Sequence, residues 1–190
     1  MRVLIAEDEA LIRMDLREML EDDGHEIVGE ARDGAEAIAL ARSLAPEIVF
    51  MDINMPGVTG IEAAEVIGAE RIAPVVMVTA FSQGSYVAQA AAAGAMAYVV
   101  KPFTSADVMP AMALAAARFA EASALAAEVE DLGERLATRK IVDRARGILM
   151  TRGMSEPDAF KRLQKLAMDK RKTLREIAEA VIIASEAEGQ

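Results

Sequence analysis

Polar residues stand where four apolar runs of β-forming residues stop. Glu7-Asp8 follows Val3 to Ala6, Asp52 follows Ile48 to Met51, Thr79 follows Val75 to Val78, and Lys101 follows Tyr98 to Val100. If these runs are strands of one parallel sheet, their ends meet at its carboxyl edge, where open α/β sheets place their chemistry. Clustered carboxylates with a backbone carbonyl make a hard oxygen site of low ligand count, which suits Mg²⁺. A carboxylate beside such a cation can attack phosphorus and become an aspartyl phosphate. The cation offsets the like charge of nucleophile and phosphoryl group. Lys101 can hold one phosphoryl oxygen and Thr79 another. The chain has no Gly-Lys-Ser/Thr phosphate loop, so bound ATP is not the expected donor. Taken alone, Asp52 has a plainer reading as the cap of the turn made by Met55-Pro56-Gly57. The coincidence of four polar strand ends argues against it.

The elements that must position these residues follow from periodicity. A fifth apolar run, Ile27 to Glu30, completes a set that alternates with helical patterns. Strands alternating with helices predict βαβ units and a parallel sheet. Leu11, Met14, Leu16, Met19 and Leu20 suggest the apolar stripe of a first helix, and Ala37, Ile38, Ala41 and Leu44 that of a second. Five such units in about 120 residues predict an α/β, flavodoxin-like five-stranded parallel sheet.

Composition narrows the setting. The chain has 190 residues, is 53% hydrophobic and contains no cysteine. Disulfides, thiol nucleophiles and zinc-thiolate sites are thereby excluded, and with His25 the only histidine, metal chemistry must rest on oxygen ligands. Asp23-Gly24-His25-Glu26 is a turn setting, which predicts a solvated His25. No run of about 18 apolar residues predicts a membrane span or membrane partner. The start turns acidic at Glu7-Asp8, too early for a signal peptide, and a cytoplasmic location is expected. Residues 1–120 hold 8 Lys/Arg against 18 Asp/Glu, whereas residues 138–184 hold 12 against 6. An acidic front and a basic back suggest two jobs.

Glu7-Asp8, Asp52 with Met55-Pro56 and Gly60, Thr79-Ala80, and Lys101-Pro102-Phe103 together resemble the receiver domain of two-component response regulators over roughly residues 1–120. The resemblance implies that Asp52 accepts phosphate from the histidine of a cognate sensor histidine kinase. It implies that Asp8 and Asp52 bind Mg²⁺ directly with the Asn54 backbone carbonyl, and that Glu7 acts through water. Tyr98 and Thr79 take the place of the family's switch pair, and the Lys101-Pro102 bond that of a cis peptide. No enzymatic activity is implied beyond the chain's own phosphoryl transfer and dephosphorylation.

From Ser105, a candidate N-cap, the pattern becomes one long helix, with Pro110 an oddity one turn in. Val108, Met112, Ala115, Phe119 and Ala122 step by four and three, as do Leu125, Val129, Leu132 and Leu136, with a slip near residue 125. With Glu128, Glu130, Asp131 and Glu134 alongside, this reads as a coiled coil, and the alternative is a helix packed on its own domain. Three short amphipathic helices follow. The first carries Ile141, Ala145, Ile148 and Leu149 and stops at Gly153. The second is capped by Ser155 and carries Phe160, Leu163 and Ala167. The third opens with the box Thr173-Leu174-Arg175-Glu176 and carries Ile177, Ala178, Val181 and Ile182. The expected domains are 1–120, a coiled-coil linker helix over 121–137, and a helical bundle over 138–190.

The bundle's outward faces carry Arg139, Lys140, Arg144, Arg146, Arg152, Lys161, Arg162, Lys165, Lys170, Arg171, Lys172 and Arg175. Such a run is either a solvated face or a phosphate-binding one. Phe160 is the bundle's one aromatic residue, so stacking on single-stranded bases is expected to be minor, and phosphate contact with shape reading of folded RNA or duplex fits better. Arg139 to Met150, followed by Gly153-Met154-Ser155, Ala159-Phe160, Leu163, Ala167-Met168 and Ile177-Ala178, resembles an ANTAR domain over roughly residues 125–185. Arg146 stands where many members have lysine. That resemblance implies binding to structured RNA hairpins and transcription antitermination, and the coiled-coil reading predicts a homodimer on phosphorylation. The alternatives are a DNA-binding response regulator and a protein-docking signalling module.

Overall fold

The computed structural model describes residues 1–80 and 93–188. Five strands, β1 (Arg2–Ala6), β2 (Glu26–Ala31), β3 (Ile48–Asp52), β4 (Val75–Thr79) and β5 (Ala97–Val100), form one parallel sheet in the order β2-β1-β3-β4-β5. β3 and β4 are buried at every residue, because helices cover both faces of a parallel sheet. Alternation along each strand sorts side chains between two cores. Leu4, Val49, Met51, Val75 and Met77 pack with Ala37, Ala41, Ala63 and Ile67, from helices α2 (Gly34–Leu44) and α3 (Gly60–Ala69). Val3, Ile5, Phe50, Val76 and Val78 pack with Leu16 and Leu20 of α1 (Ala10–Asp22), and with Val108, Met112 and Ala115 at the start of α4 (Ser105–Thr151). The sheet expected from the sequence is the one found. The helix expected between β4 and β5 lies outside the described residues.

Three local expectations are corrected. On α1, Leu11 and Met14 are exposed, and the buried residues are Arg13, Leu16 and Leu20. The buried face accepts an arginine because partners for it lie beneath. Thr104, rather than Ser105, caps α4: its N–H and hydroxyl donate to Asp107 Oδ2 at 2.9 and 2.7 Å. His25 is not solvated, since its side chain is 13% exposed with Asp23 3.2 Å away.

The chain divides into two compact units, Met1–Ala124 and Leu125–Gln190. α4 runs unbroken from Ser105 to Thr151 with Pro110 inside it, so the first helix of the expected bundle is the end of this one. Its slip at residue 125 separates two environments. Val108, Met112 and Ala115 are buried, whereas Leu125, Val129, Leu132 and Leu136 are 62, 63, 50 and 60% exposed. By length and composition alone α4 is long and apolar enough to cross a membrane, although no run of about 18 of its residues is wholly apolar. Burial of Val108, Met112 and Ala115 against the sheet accounts for part of this apolar surface without lipid.

In the second unit, the end of α4 packs Val142, Ala145 and Leu149 against Ala159 and Leu163 of α5 (Glu156–Lys170) and Ile177, Ala178 and Ile182 of α6 (Leu174–Glu188). The predicted punctuation is present. Gly153 has φ +90°, and Asp158 N–H donates to Ser155 Oγ at 3.3 Å. Thr173 N–H donates to Glu176 Oε2 at 2.8 Å, and Glu176 N–H to Thr173 Oγ1 at 3.2 Å.

Gly60 opens α3 directly behind Asp52. A Cβ there would sit 1.8 Å from the Asp52 carbonyl oxygen, a backbone atom with little room to yield. Gly60→Ala is therefore expected to lower unfolding stability by about 3 kcal/mol, the upper end of overpacking costs. Gly133 lies inside α4 with nothing within 4 Å of its ideal Cβ, and Gly133→Ala is expected to add about 0.5–1 kcal/mol. Denaturant titration of both variants checks this, and a stable Gly60→Ala protein contradicts it.

Candidate functional site

The carboxyl ends of β1, β3, β4 and β5 deliver the residues singled out by type and spacing. Glu7, Asp52 and Thr79 are buried at 1, 4 and 2% exposure, and Asp8 is exposed at the turn after β1. Lys101 Nζ lies 2.6 Å from Asp52 Oδ1 and 2.7 Å from Glu7 Oε2. The second Asp52 oxygen accepts from Asn54 N–H at 2.6 Å, so both oxygens of this carboxylate are held. Glu7 Oε1 accepts from Glu9 N–H at 3.3 Å. Lys101 N–H donates to the Thr79 carbonyl at 2.7 Å, and the Lys101-Pro102 peptide is cis. Tyr98, opposite Met77 on the edge strand, is 49% exposed.

Charge balance dominates this site. Burial is the largest influence on Glu7 and pushes its carboxyl up. The Lys101 hydrogen bond opposes that shift, the Asp52 charge adds to it, and the carboxyl ends above its ordinary range. Burial pulls the Lys101 ammonium down, but hydrogen bonds to Asp52 and Glu7 and their charges outweigh it and hold it above its usual value. Glu7, Asp8 and Asp52 each bring an oxygen to within 4.8 Å of the others. Three hard oxygen donors at that spacing fit a small divalent cation, Mg²⁺ above all.

Arg13 is a residue supporting the site that sequence reasoning missed. It is 9% exposed. Its Nη1 donates to the Glu7 carbonyl at 2.7 Å, and its Nε to Glu30 Oε2 at 3.0 Å. Arg17 Nη1 holds the other Glu30 oxygen at 2.7 Å. The guanidinium thus ties the β1–α1 turn, which carries Glu7 and Asp8, to β2. The readable signal is an arginine in register with Leu16 and Leu20 on the sheet-facing side of α1.

In the second unit the basic residues named from sequence are exposed, apart from half-buried Arg146. Several are already paired. Arg144 meets Glu186 at 2.9 Å, Lys172 meets Glu176 at 2.8 Å, Arg175 meets Glu179 at 2.9 Å, and Arg139 lies 3.9 Å from Asp143. Arg146 lies 2.9 Å from Asp143 and 3.2 Å from Glu156. Lys140, Lys161, Arg162, Lys165, Lys170 and Arg171 have no ion-pair partner among the described residues.

Comparison with known proteins places these two sites. The model of the response regulator receiver domain matches residues 3–113, and that of the ANTAR domain matches residues 130–182. Transcriptional regulatory protein PdtaR of Mycobacterium tuberculosis is 58% identical over 182 residues, covering 95% of this chain and 89% of that one. Chemotaxis protein CheY of Thermotoga maritima is 39% identical over 112 residues, 58% of this chain and 93% of its own. Among solved structures, the signal receiver domain of the putative response regulator NarL from M. tuberculosis superposes with a TM-score of 0.58 at 29% identity, over 60% of this chain and 94% of that one.

Removing the ammonium leaves two buried carboxylates facing each other. Lys101→Met is expected to cost about 3 kcal/mol near pH 8, the lower end for breaking a buried pair. Glu7 already has a raised folded-state pKa, and loss of Lys101 raises it further. Such a carboxyl favours the fold fully below its unfolded value, and that contribution fades as pH rises through the folded value. The variant's deficit is therefore expected to shrink at pH 5, as urea titrations at the two pH values measure. A deficit that grows on acidification contradicts this charge balance.

Proposed function

Because the chain belongs to the response regulators that join a receiver domain to an ANTAR domain, we propose that phosphorylation of Asp52 by a PdtaS-like sensor histidine kinase controls RNA binding by its C-terminal domain in transcription antitermination. The observation that carries the first half is the buried Lys101–Asp52 pair, with Glu7 on the same ammonium. Asp52 attacks the phosphorus of a phosphohistidine, the phosphorus–nitrogen bond breaks, and the imidazole leaves with a proton. Lys101 passes its hydrogen bond from the Asp52 carboxylate to a phosphoryl oxygen, and the Thr79 hydroxyl takes another. The proposed Mg²⁺ ligands are Asp8, Asp52 and the Asn54 backbone carbonyl, with Glu7 acting through water. Bound there, Mg²⁺ neutralises the charge that gathers as two anions approach. Tyr98, half-exposed on the edge strand, is the proposed switch, turning inward as Thr79 moves toward the phosphoryl group.

The second half rests on the C-terminal unit. Its cations other than Arg146 are exposed and six have no acidic partner among the described residues, which suits a phosphate backbone. The proposed domains are a receiver over 1–120, a coiled-coil helix over 121–137 and an ANTAR bundle over 138–190; the family-model match at 3–113 supports the first, and the match at 130–182 supports the last while beginning inside the proposed linker. The exposed Leu125, Val129, Leu132 and Leu136 stripe gives a second copy of the chain a seam to pair on. Pairing sets two RNA-binding units side by side for two hairpins.

Incubated with acetyl phosphate and Mg²⁺, the native protein is expected to gain one phosphate by mass spectrometry and Asp52→Asn none. An equal adduct on the variant contradicts the assignment. In gel shifts the native protein is expected to retain a tandem-hairpin RNA over matched duplex DNA. Preference for the duplex favours a DNA-binding regulator, and retention of neither favours a protein-docking module.

A further inference from the structure

The C-terminal unit contains an open cavity of about 500 Å³, large enough for a small organic ligand. Thr138, Arg139, Asp143, Arg146, Phe160 and Leu174 are among the residues that line it. Phe160 is the one aromatic residue in residues 125–190. It is half-buried, packs on the three-helix core and also borders the cavity. Arg146 is half-buried as well, and its guanidinium is fixed by Asp143 at 2.9 Å and Glu156 at 3.2 Å. Two flat groups, one aromatic and one cationic, therefore border the same space, with Leu174 as an aliphatic wall and Thr138 as a polar one.

The charge of the lining decides what fits. Asp131, Glu134 and Asp143 line the cavity together with Arg135, Arg139 and Arg146, and Arg135 is itself paired with Asp131 at 2.9 Å, so the lining carries no net charge. It therefore gives an anion no net attraction, even though residues 138–184 as a whole are basic. A neutral planar ring with hydrogen-bond donors on its edge is favoured: its face matches Phe160, and its donors match the carboxylates. Sequence-specific RNA recognition works on bases splayed from loops, stacked on aromatic or guanidinium planes and read at their edges.

We propose that this cavity receives one unstacked base of a hairpin loop, a base that carries an exocyclic amino group. The base stacks on Phe160, and its amino edge donates to Asp143. Arg139, exposed at the rim, meets the phosphate beside it. This inference rests on the RNA-binding reading above, and it revises the expectation that a single aromatic residue leaves stacking minor.

The test uses the full chain and a tandem-hairpin RNA enriched on it from a pool with randomised loops. Each loop nucleotide is replaced in turn by an abasic one. One position is expected to lose about 10–100-fold in affinity, the range of a single base–aromatic stack. Phe160→Leu keeps an apolar side chain of similar bulk and is expected to lose a similar factor on the intact RNA. It is expected to be indifferent to the abasic change at that position while still responding to the others. A fluorescent 2-aminopurine there is expected to brighten on binding to the native protein. Asp143→Asn is expected to relax the base preference at that position and leave affinity for the abasic RNA unchanged. Thermal melts establish that the variants fold. Additive losses at every position, or native affinity in a folded Phe160→Leu protein, overturn the cavity proposal alone. Absence of RNA binding by the native protein overturns both it and the RNA-binding reading.

Discussion

Two carboxylates buried at one sheet edge share a single ammonium, and much of the receiver unit is arranged around that imbalance. Glu7 and Asp52 lie 2.7 and 2.6 Å from Lys101 Nζ, and the exposed Asp8 adds a third negative charge. In the proposed mechanism such a site is satisfied in two ways, by lysine alone or by lysine with a divalent cation and a phosphoryl group. The sheet order makes it possible. β1 and β3 are neighbours, so Glu7 and Asp52 meet directly, and β5 lies beyond β4, so Lys101 must reach back over the Thr79 end. Gly60 lets α3 start against the Asp52 carbonyl, and Arg13 ties down the turn that carries the other two acids.

The C-terminal unit poses the opposite problem. Over residues 138–184 cations outnumber anions 12 to 6, and intrahelical or interhelical carboxylates neutralise only some of them. Glu176 shows that this pairing is local. The Lys172 hydrogen bond, with those of Thr173, lowers its carboxyl to about 2, so it stays ionised at the helix start, where negative charge is favoured. In the proposed reading, the unpaired cations on α5 and the mixed cavity beside Phe160 divide the labour of binding a nucleic acid, spread charge holding the backbone and a fixed pocket reading a base.

Much of this was legible in the sequence, for identifiable reasons. Strands buried on both faces appear as unbroken apolar runs, so Ile48 to Met51 and Val75 to Val78 left little choice, and a lone polar residue at each end stood out. Arg13 was hidden because a count of apolar residues prefers Leu11 and Met14, and burial of an arginine depends on Glu30 and the Glu7 carbonyl, which are distant in sequence or belong to the backbone. The cap of α4 could have been read correctly. Three residues after Thr104 comes Asp107, a reciprocal partner, whereas three after Ser105 comes Val108. The continuity of α4 was equally available, since Ala137-Thr138-Arg139-Lys140 holds neither glycine nor proline to stop a helix. The cavity beside Phe160 was not available, because it forms only when segments from residues 131 to 174 fold together.

The account stands or falls on whether the charge state of the Asp52 site sets the behaviour of the RNA-binding unit. The most direct measurement is sedimentation and RNA titration of one sample, with and without a phosphodonor, on native protein and Asp52→Asn. The account gives tighter RNA binding and more dimer for phosphorylated native protein, with no change in the variant. A phosphorylated native protein whose mass stays monomeric and whose RNA affinity is unchanged contradicts it.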